Sequence, residues 1–269
     1  MRDLRLMAGA LAIAAAATYG GLASIAGASN TTPARSGGGL LTGDVSLRVL
    51  APTPNEVVTG ASLALQVTAR GYQLDAFYAG TPNLPYVGHY HEILDGKLVD
   101  MTPLQDPTHD TISMFGVTRG KHVLTLVPAR NDHSMIMSKA VMIPFYYEGP
   151  FRPQPAGYAG AGKPSITITA PAAGATVRGS SFTMTARVAN FVLSGESFGK
   201  ALIAGEGHWH VFVDEVSMPH MVTMASTGTQ TVPLKGVKPG RHTFYALLVD
   251  NHHMPIMPTT LAIVNLSVK

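Results

Sequence analysis

The chain has 269 residues, of which 46% are hydrophobic and 13% are charged, and it contains no cysteine. The absence of cysteine excludes disulfide-stapled scaffolds, thiolate zinc sites and thiol enzymes, so any metal must be held by other ligands. The formal net charge of +3 is too small for a surface that follows nucleic-acid phosphates, so we expect no nucleic-acid partner.

The N-terminal segment has the pattern of a secretory signal peptide. A short start with two arginines, residues 1–5, precedes an uncharged, alanine-rich run that ends in Ala-Gly-Ala at residues 26–28. This pattern predicts a signal peptide over residues 1–28, cleaved before Ser29, and an exported protein that is periplasmic, secreted or at the cell surface. An uncleaved membrane anchor is the alternative. After cleavage we expect no membrane association, because no second stretch is long and apolar enough to span a bilayer.

The remaining sequence contains the same unit twice. An opening strand pattern and a Gly-His-aromatic-His motif both recur at an offset of 119 residues. They occupy Ser46–Pro52 and Ser165–Pro171, and Gly88–His91 and Gly207–His210. Agreement over about 100 residues predicts a tandem repeat, and the segments rich in Gly, Pro, Ala, Ser and Thr predict linkers. The predicted boundaries are a linker at 29–43, the first repeat at 44–148, a linker at 149–164 and the second repeat at 165–269.

Short segments that alternate between apolar and polar residues predict strands in both repeats. Leu63–Ala69 and Phe182–Val188 alternate in this way, and no stretch after the signal peptide keeps a helical period. Six or seven strands in about 100 residues predict an all-β fold of two tandem immunoglobulin-like antiparallel β-sandwiches. Strand starts are predicted near 45, 63, 86, 111, 121 and 138, and near 165, 182, 207, 229, 241 and 259.

The 11 histidines are confined to two windows, residues 89–133 and 208–253. Strand residues two apart share a face, with Cα atoms roughly 6.5–7 Å apart, so His89 and His91 can converge on one ion. The loop between the last two strands of the sandwich lies at the same end as these residues and carries His133. The corresponding residues of the second repeat are His208, His210, His252 and His253. We therefore predict one metal site in each repeat.

Methionines follow the loop histidines in both repeats, namely Met135 and Met254. Imidazole together with thioether suits copper, whereas thioether is a poor ligand for zinc. The sequence therefore predicts copper, with zinc as the alternative if the histidines act alone. Both methionines are equally well interpreted as packing residues.

Two further motifs have structural interpretations. His122 and His242 lie at strand starts at the opposite end of each sandwich from the predicted site, which favours a framework role. Gly195–Gly199 matches the G-x-S-x-G nucleophile elbow, but it falls in a loop of an all-β repeat, so no esterase activity is predicted.

The order Gly-His-aromatic-His, then Asp95 or Asp214, then Gly-x-His, then a loop histidine resembles a family of exported bacterial Ig-like domains of unknown function. The resemblance covers about 100 residues of each repeat and implies the sandwich fold and a shared role for the loop histidines. Tyr90 and Trp209 stand where that family usually carries a histidine. A looser similarity to periplasmic copper carriers, which are small sandwiches with His and Met ligands, rests on the His-x-Met pattern in each loop.

The sequence thus predicts an exported copper carrier or buffer without catalysis, with one His/Met site in each repeat. Its expected partners are the metal ion and an exported protein that donates or accepts it. One alternative is a structural cell-surface Ig-like module without metal. The other is a copper redox enzyme, by analogy with sandwich folds that use His-x-His.

Overall fold

The computed structural model describes residues 45–101, 106–152, 157 and 162–269. The predicted signal peptide and first linker lie outside the described residues. Within these ranges, no helix is long and apolar enough to cross a membrane.

Each repeat contributes nine strands to the part of the chain that the structure describes. The first repeat has β1 (Ser46–Ala51), β2 (Val57–Val58), β3 (Ser62–Arg70), β4 (Gln73–Leu74), β5 (Val87–Leu94), β6 (Lys97–Asp100), β7 (His109–Ser113), β8 (Gly120–Ala129) and β9 (Val141–Tyr147). The second repeat has β10 (Ser165–Ala170), β11 (Thr176–Val177), β12 (Ser181–Ala189), β13 (Val192–Leu193), β14 (Glu206–Val213), β15 (Met221–Ala225), β16 (Thr229–Pro233), β17 (Gly240–Asp250) and β18 (Leu261–Val268). Short 3-10 helices lie at Ala76–Tyr78, Met137–Lys139 and Met218–His220.

The strands of each repeat form two facing sheets with the same order in both copies. A three-stranded sheet, β1-β3-β7, faces a six-stranded sheet, β2-β9-β8-β5-β4, in which β6 also pairs with β5. The second repeat has β10-β12-β16 facing β11-β18-β17-β14-β13, with β15 on β14. The prediction of two tandem immunoglobulin-like sandwiches is confirmed. Each predicted strand start lies within three residues of an observed one, but the two-residue strands and β6 and β15 were not predicted.

Burial alternates along the strands because alternate side chains enter the sandwich. In β3, Leu63, Leu65 and Val67 are buried between more exposed neighbours. The aromatic residues between the paired histidines, Tyr90 and Trp209, belong to the two sandwich cores. The histidines on either side of each aromatic residue therefore point to the outer face of the six-stranded sheet.

That outer face is where the two repeats meet. The described residues belong to one compact unit, and a third hydrophobic cluster joins Met101 of the first repeat to Phe212, Met221 and Leu247 of the second. A salt bridge of 2.6 Å between Lys235 Nζ and Asp75 Oδ2 also links the repeats. The outer histidines are therefore covered by the neighbouring repeat.

Candidate metal centres

Three histidines of the first repeat bring one ring nitrogen each to a common point. His89 and His91 lie on one face of β5, and His133 lies in the loop after β8. Nε2 of His89 is 3.1 Å from Nε2 of His91 and 3.1 Å from Nδ1 of His133. Nε2 of His91 is 3.3 Å from the same Nδ1 atom. The three nitrogens form a nearly equilateral triangle.

The second repeat builds the same triangle from the same ring atoms. Nε2 of His208 is 2.9 Å from Nε2 of His210 and 3.0 Å from Nδ1 of His253. The third distance, from His210 Nε2 to His253 Nδ1, is 3.3 Å. No histidine of either triad is more than 6% exposed. In the described part of the chain, only these two triads bring ligand atoms of three His, Cys, Asp or Glu side chains within 4.8 Å of one another. At this spacing the three atoms could bind one ion.

The loop histidine of each triad has an unusual backbone conformation. His133 and His253 have φ values of 64° and 63°, in the left-handed region that few residues other than glycine adopt. Tight turns hold them there, with hydrogen bonds of 2.9 Å from His133 N to Arg130 O and 3.0 Å from His253 N to Asp250 O. A conformation of this kind costs on the order of 1 kcal/mol and tends to occur at functional sites.

The far nitrogen of each loop histidine fixes the tautomer of the ring. His133 Nε2 donates to the Met221 carbonyl at 2.7 Å, and His253 Nε2 donates to the Leu98 carbonyl at 3.2 Å. A carbonyl oxygen only accepts, so Nε2 carries the hydrogen and Nδ1 presents a lone pair to the other two imidazoles. Each carbonyl belongs to the opposite repeat, so both triads are oriented across the repeat interface.

Two glycines allow this close approach. A Cβ atom on Gly80 would lie 2.4 Å from Met221 O, and one on Gly199 would lie 2.1 Å from Leu98 O. Any side chain at these positions would push away the carbonyl that orients the loop histidine. The sequence analysis did not identify these glycines, although they occupy equivalent positions at the repeat offset of 119 residues.

Burial keeps the imidazoles neutral. It lowers the pKa of His133 and of His253 to about 4. Burial, followed by repulsion from the neighbouring imidazoles, lowers the pKa of the remaining histidines well below the usual 6.5: His89, His91, His208 and His210. Neutral rings at pH 7 are the form that binds a metal ion.

The spacing fits a metal ion better than hydrogen bonding among the rings. A tetrahedral ion with metal–nitrogen bonds of 2.0–2.1 Å separates its ligand nitrogens by about 3.3 Å, close to the 2.9–3.3 Å observed. Hydrogen bonding cannot satisfy all three converging nitrogens, because Nδ1 of the loop histidine already presents a lone pair and can only accept. One ion would bind all three lone pairs and leave a fourth position open.

The remaining predicted ligands lie outside the triads. His252 donates Nε2 to the Lys200 carbonyl. Met135 and Met254 are 44% and 39% exposed, in contrast to the buried triad histidines. Their role as ligands stays a prediction.

The histidines at the opposite end of each sandwich have both ring nitrogens engaged. His122 contacts the Asp95 carboxylate through Nδ1 at 2.7 Å and donates Nε2 to the Thr118 carbonyl at 2.8 Å. His242 makes the same pair of contacts with Asp214 and the Lys238 carbonyl, both at 2.7 Å. These bonds fit the framework role expected from the sequence.

The G-x-S-x-G segment lies in a turn after β13. A nucleophile elbow displays its serine on a sharp strand-to-helix turn, whereas Ser197 is fully buried. A substrate cannot reach its hydroxyl in this conformation.

Comparisons with known proteins identify no relative by sequence. No protein-family model and no curated protein matches the chain. Fibronectin(III)-like modules of Clostridium thermocellum CbhA match with 14% identity over 83% of this chain and 94% of that chain, at a TM-score of 0.27. The D00-D0 domain of intimin matches with 15% identity over 82% and 98% of the two chains, at a TM-score of 0.23. These identities and TM-scores are too low to support a fold assignment. The assignment therefore rests on the strand order of this chain.

Proposed function

We propose that each histidine triad binds one transition-metal ion and that the protein is a tandem Ig-like structural module whose repeats are held together by the two ions. The observation that carries this proposal is the convergence of three neutral ring nitrogens in each repeat. In each triad, the third imidazole is hydrogen-bonded through its other nitrogen to the opposite repeat.

An ion at each triad would stabilise the repeat interface as well as the sandwich. In the first repeat it would join β5 to the loop after β8, and His133 would then hold the backbone of β15 through the Met221 carbonyl. Structural metal sites contribute directly to folding free energy because the unfolded chain has no preformed site. Sandwich modules of this architecture occur in many cell-surface proteins.

Burial favours a resident ion over a transported one. A carrier or buffer must exchange its metal, yet no triad histidine is more than 6% exposed. The opposite repeat covers both loop histidines, so an ion would enter or leave when the interface opens. We therefore expect slow exchange, and metal transfer to a chelator within seconds would favour the carrier.

The choice of metal depends on the methionines. Three imidazoles with an open fourth position suit zinc and copper alike. A thioether from Met135 or Met254 would favour copper. If the thioethers coordinate, replacing both methionines by leucine would lower the affinity for Cu(I) and leave the affinity for Zn(II) unchanged. If the imidazoles act alone, the replacement would change neither affinity.

Export remains part of the proposal and rests on the sequence of residues 1–28. An exported protein would receive its metal outside the cytoplasm, from the medium or from an exported donor. The intact mass of the extracytoplasmic protein tests this point: a chain beginning at Ser29 supports export with cleavage, and a chain that retains residues 1–28 indicates an anchor.

Elemental analysis of untagged protein tests the metal sites directly. We expect two Zn or Cu ions per chain, and titration of the metal-free protein should saturate at the same ratio. His91→Ala should remove one of the two ions. His122→Ala is the matched control and should retain both. Absence of saturable binding by either metal would leave a metal-free structural module with packed histidines.

A further inference from the structure

The two triads present the same ligand atoms, but only the second has an aromatic side chain packed against it. The ring of Phe198 has its centroid 4.0 Å from that of His208 and 5.8 Å from that of His253. His89 is the equivalent of His208 in the first repeat. Among the described residues, the only rings that contact His89 are those of its own triad. The two sites therefore differ in the neighbour of one ligand.

The residue at the position of Phe198 in the first repeat is Ala79. Gly80 and Gly199 are equivalent, and the backbone nitrogen of each donates to the carbonyl of the asparagine two residues before the loop histidine, at 2.7 and 2.8 Å. The residue before each glycine is Ala79 in the first repeat and Phe198 in the second. The two turns are thus attached to their loops in the same way, and the difference lies in the side chain.

The turn that carries Phe198 is held in place at both ends. His252 Nε2 donates to the Lys200 carbonyl, and Lys200 N donates to Ser197 O at 3.1 Å. Phe198 itself is half-buried and packs against the hydrophobic cluster that joins the repeats. Because backbone and side chain are both held, the Phe198 ring has a fixed position against His208.

Packing is what orients the His208 ring. His253 is oriented by its hydrogen bond to the Leu98 carbonyl. His208 is fully buried, but its Nδ1 has no hydrogen-bond partner among the described residues. A ring packed against an imidazole excludes other rotamers of that imidazole. Phe198 therefore has the role for His208 that the Leu98 carbonyl has for His253.

We propose that Phe198 is a positioning residue for His208 and makes the second triad the tighter of the two metal sites. This inference rests on the proposed binding of one ion by each triad. With Phe198 in place, His208 keeps Nε2 at the triad in the metal-free chain, so less side-chain entropy is lost when the ion binds. His89 has only the methyl group of Ala79 at this position in the chain. Metal should therefore fill the second triad first.

Zn(II) titration of full-length chains with a single intact site tests the inference. His91→Ala keeps the second triad, and His210→Ala keeps the first. Groups that orient a metal ligand typically change metal affinity by about 10–100-fold, so the His91→Ala chain should bind Zn(II) at least about tenfold more tightly than the His210→Ala chain. Adding Phe198→Ala to the His91→Ala chain should remove this advantage. Adding it to the His210→Ala chain should leave the affinity unchanged. Calorimetry in competition with a chelator measures all four affinities.

Two control variants separate positioning from general packing. Phe198→Tyr keeps the ring and should keep the affinity of the second triad. Val216→Ala trims a residue that packs against the same interface cluster and should leave the difference between the two sites intact. If a single-site chain does not fold, the wild type and Phe198→Ala are compared directly. The tighter of two binding steps should then weaken in Phe198→Ala while the other step stays unchanged.

Two results would overturn the inference and leave the metal sites standing. One is equal Zn(II) affinity of the two single-site chains. The other is an equal loss of affinity at both sites on Phe198→Ala, which would mean that the ring acts through the repeat interface and not through His208. A wild-type protein that binds no Zn(II) would overturn the proposed sites and this inference together.

Discussion

Acidification of the metal-free protein tests the buried histidines in a single experiment. Above pH 6.5 the six triad histidines are neutral in the folded and unfolded states alike, so they contribute no pH dependence. Below pH 6.5 the unfolded chain binds protons at these residues and the folded chain does not, because burial lowers each pKa. Stability is therefore lost as the pH falls from 6.5 towards the folded pKa, which is about 4 for His133 and His253.

The size of the effect follows from the number of buried rings. Each neutral histidine reduces the free energy of unfolding by about 1.4 kcal/mol per pH unit once the pH is well below 6.5. Six rings give a slope of about 8 kcal/mol per pH unit and a total loss of about 8 kcal/mol by pH 5.5. Since folded proteins are stable by about 5–15 kcal/mol, the metal-free protein should unfold between about pH 6 and pH 5.

Urea unfolding with a chelator present, in steps from pH 7.5 to pH 5, measures this slope. His210→Phe should reduce the slope by about 1.4 kcal/mol per pH unit. His109→Gln is the control, because the His109 side chain is 56% exposed. Bound metal should shift the acid transition to lower pH, since the ion competes with protons for the same lone pairs. A flat free energy of unfolding between pH 7 and pH 5.5 would refute the reasoning and mean that the folded rings take up protons.

Three further predictions concern the framework and the repeat interface. His122→Ala should lower the free energy of unfolding by about 1–2 kcal/mol through lost hydrogen bonds, with metal affinity unchanged, as thermal melts beside metal titrations would show. Gly80→Ala should weaken metal binding and lower the melting temperature more than Gly96→Ala, since both positions have positive φ but Gly96 has open space around it. A protease cut within 149–164 should give two fragments that co-elute in gel filtration while metal is bound. The fragments should separate when a chelator is added at low pH. Separation while metal is bound would contradict an interface that is held by the ions.

Much of the fold and part of the site follow from local patterns. Two-residue alternation predicted the main strands, and the His-x-His spacing placed two imidazoles of each triad on one strand face. Sandwich topology then brought the loop histidine to the same end, because β8 ends beside the start of β5. These relations depend only on the two-residue period of a strand and on the order in which the strands are connected. Both can be read from the sequence.

The remainder depends on contacts between residues far apart in the chain. His133 and its carbonyl acceptor Met221 are 88 residues apart, and His253 and Leu98 are 155 residues apart. No periodicity indicates such pairs. His252 is next to His253 in the sequence, but its Nε2 donates to the Lys200 carbonyl, a contact 52 residues away that no local pattern indicates; its role as a ligand stays a prediction.

The proposed metal binding and the packing of the repeats would depend on the same atoms. The Met221 carbonyl accepts from His133 and is also the atom that would meet a side chain at position 80. A change that moves this carbonyl releases the imidazole, and a change that frees the imidazole removes a bond across the interface. The triads are also coupled electrostatically, since charge on His253 lowers the pKa of His91 in the opposite repeat. Each repeat thus supplies the backbone carbonyl that orients the loop histidine of the other repeat, and these two contacts hold both triads at the junction of the repeats.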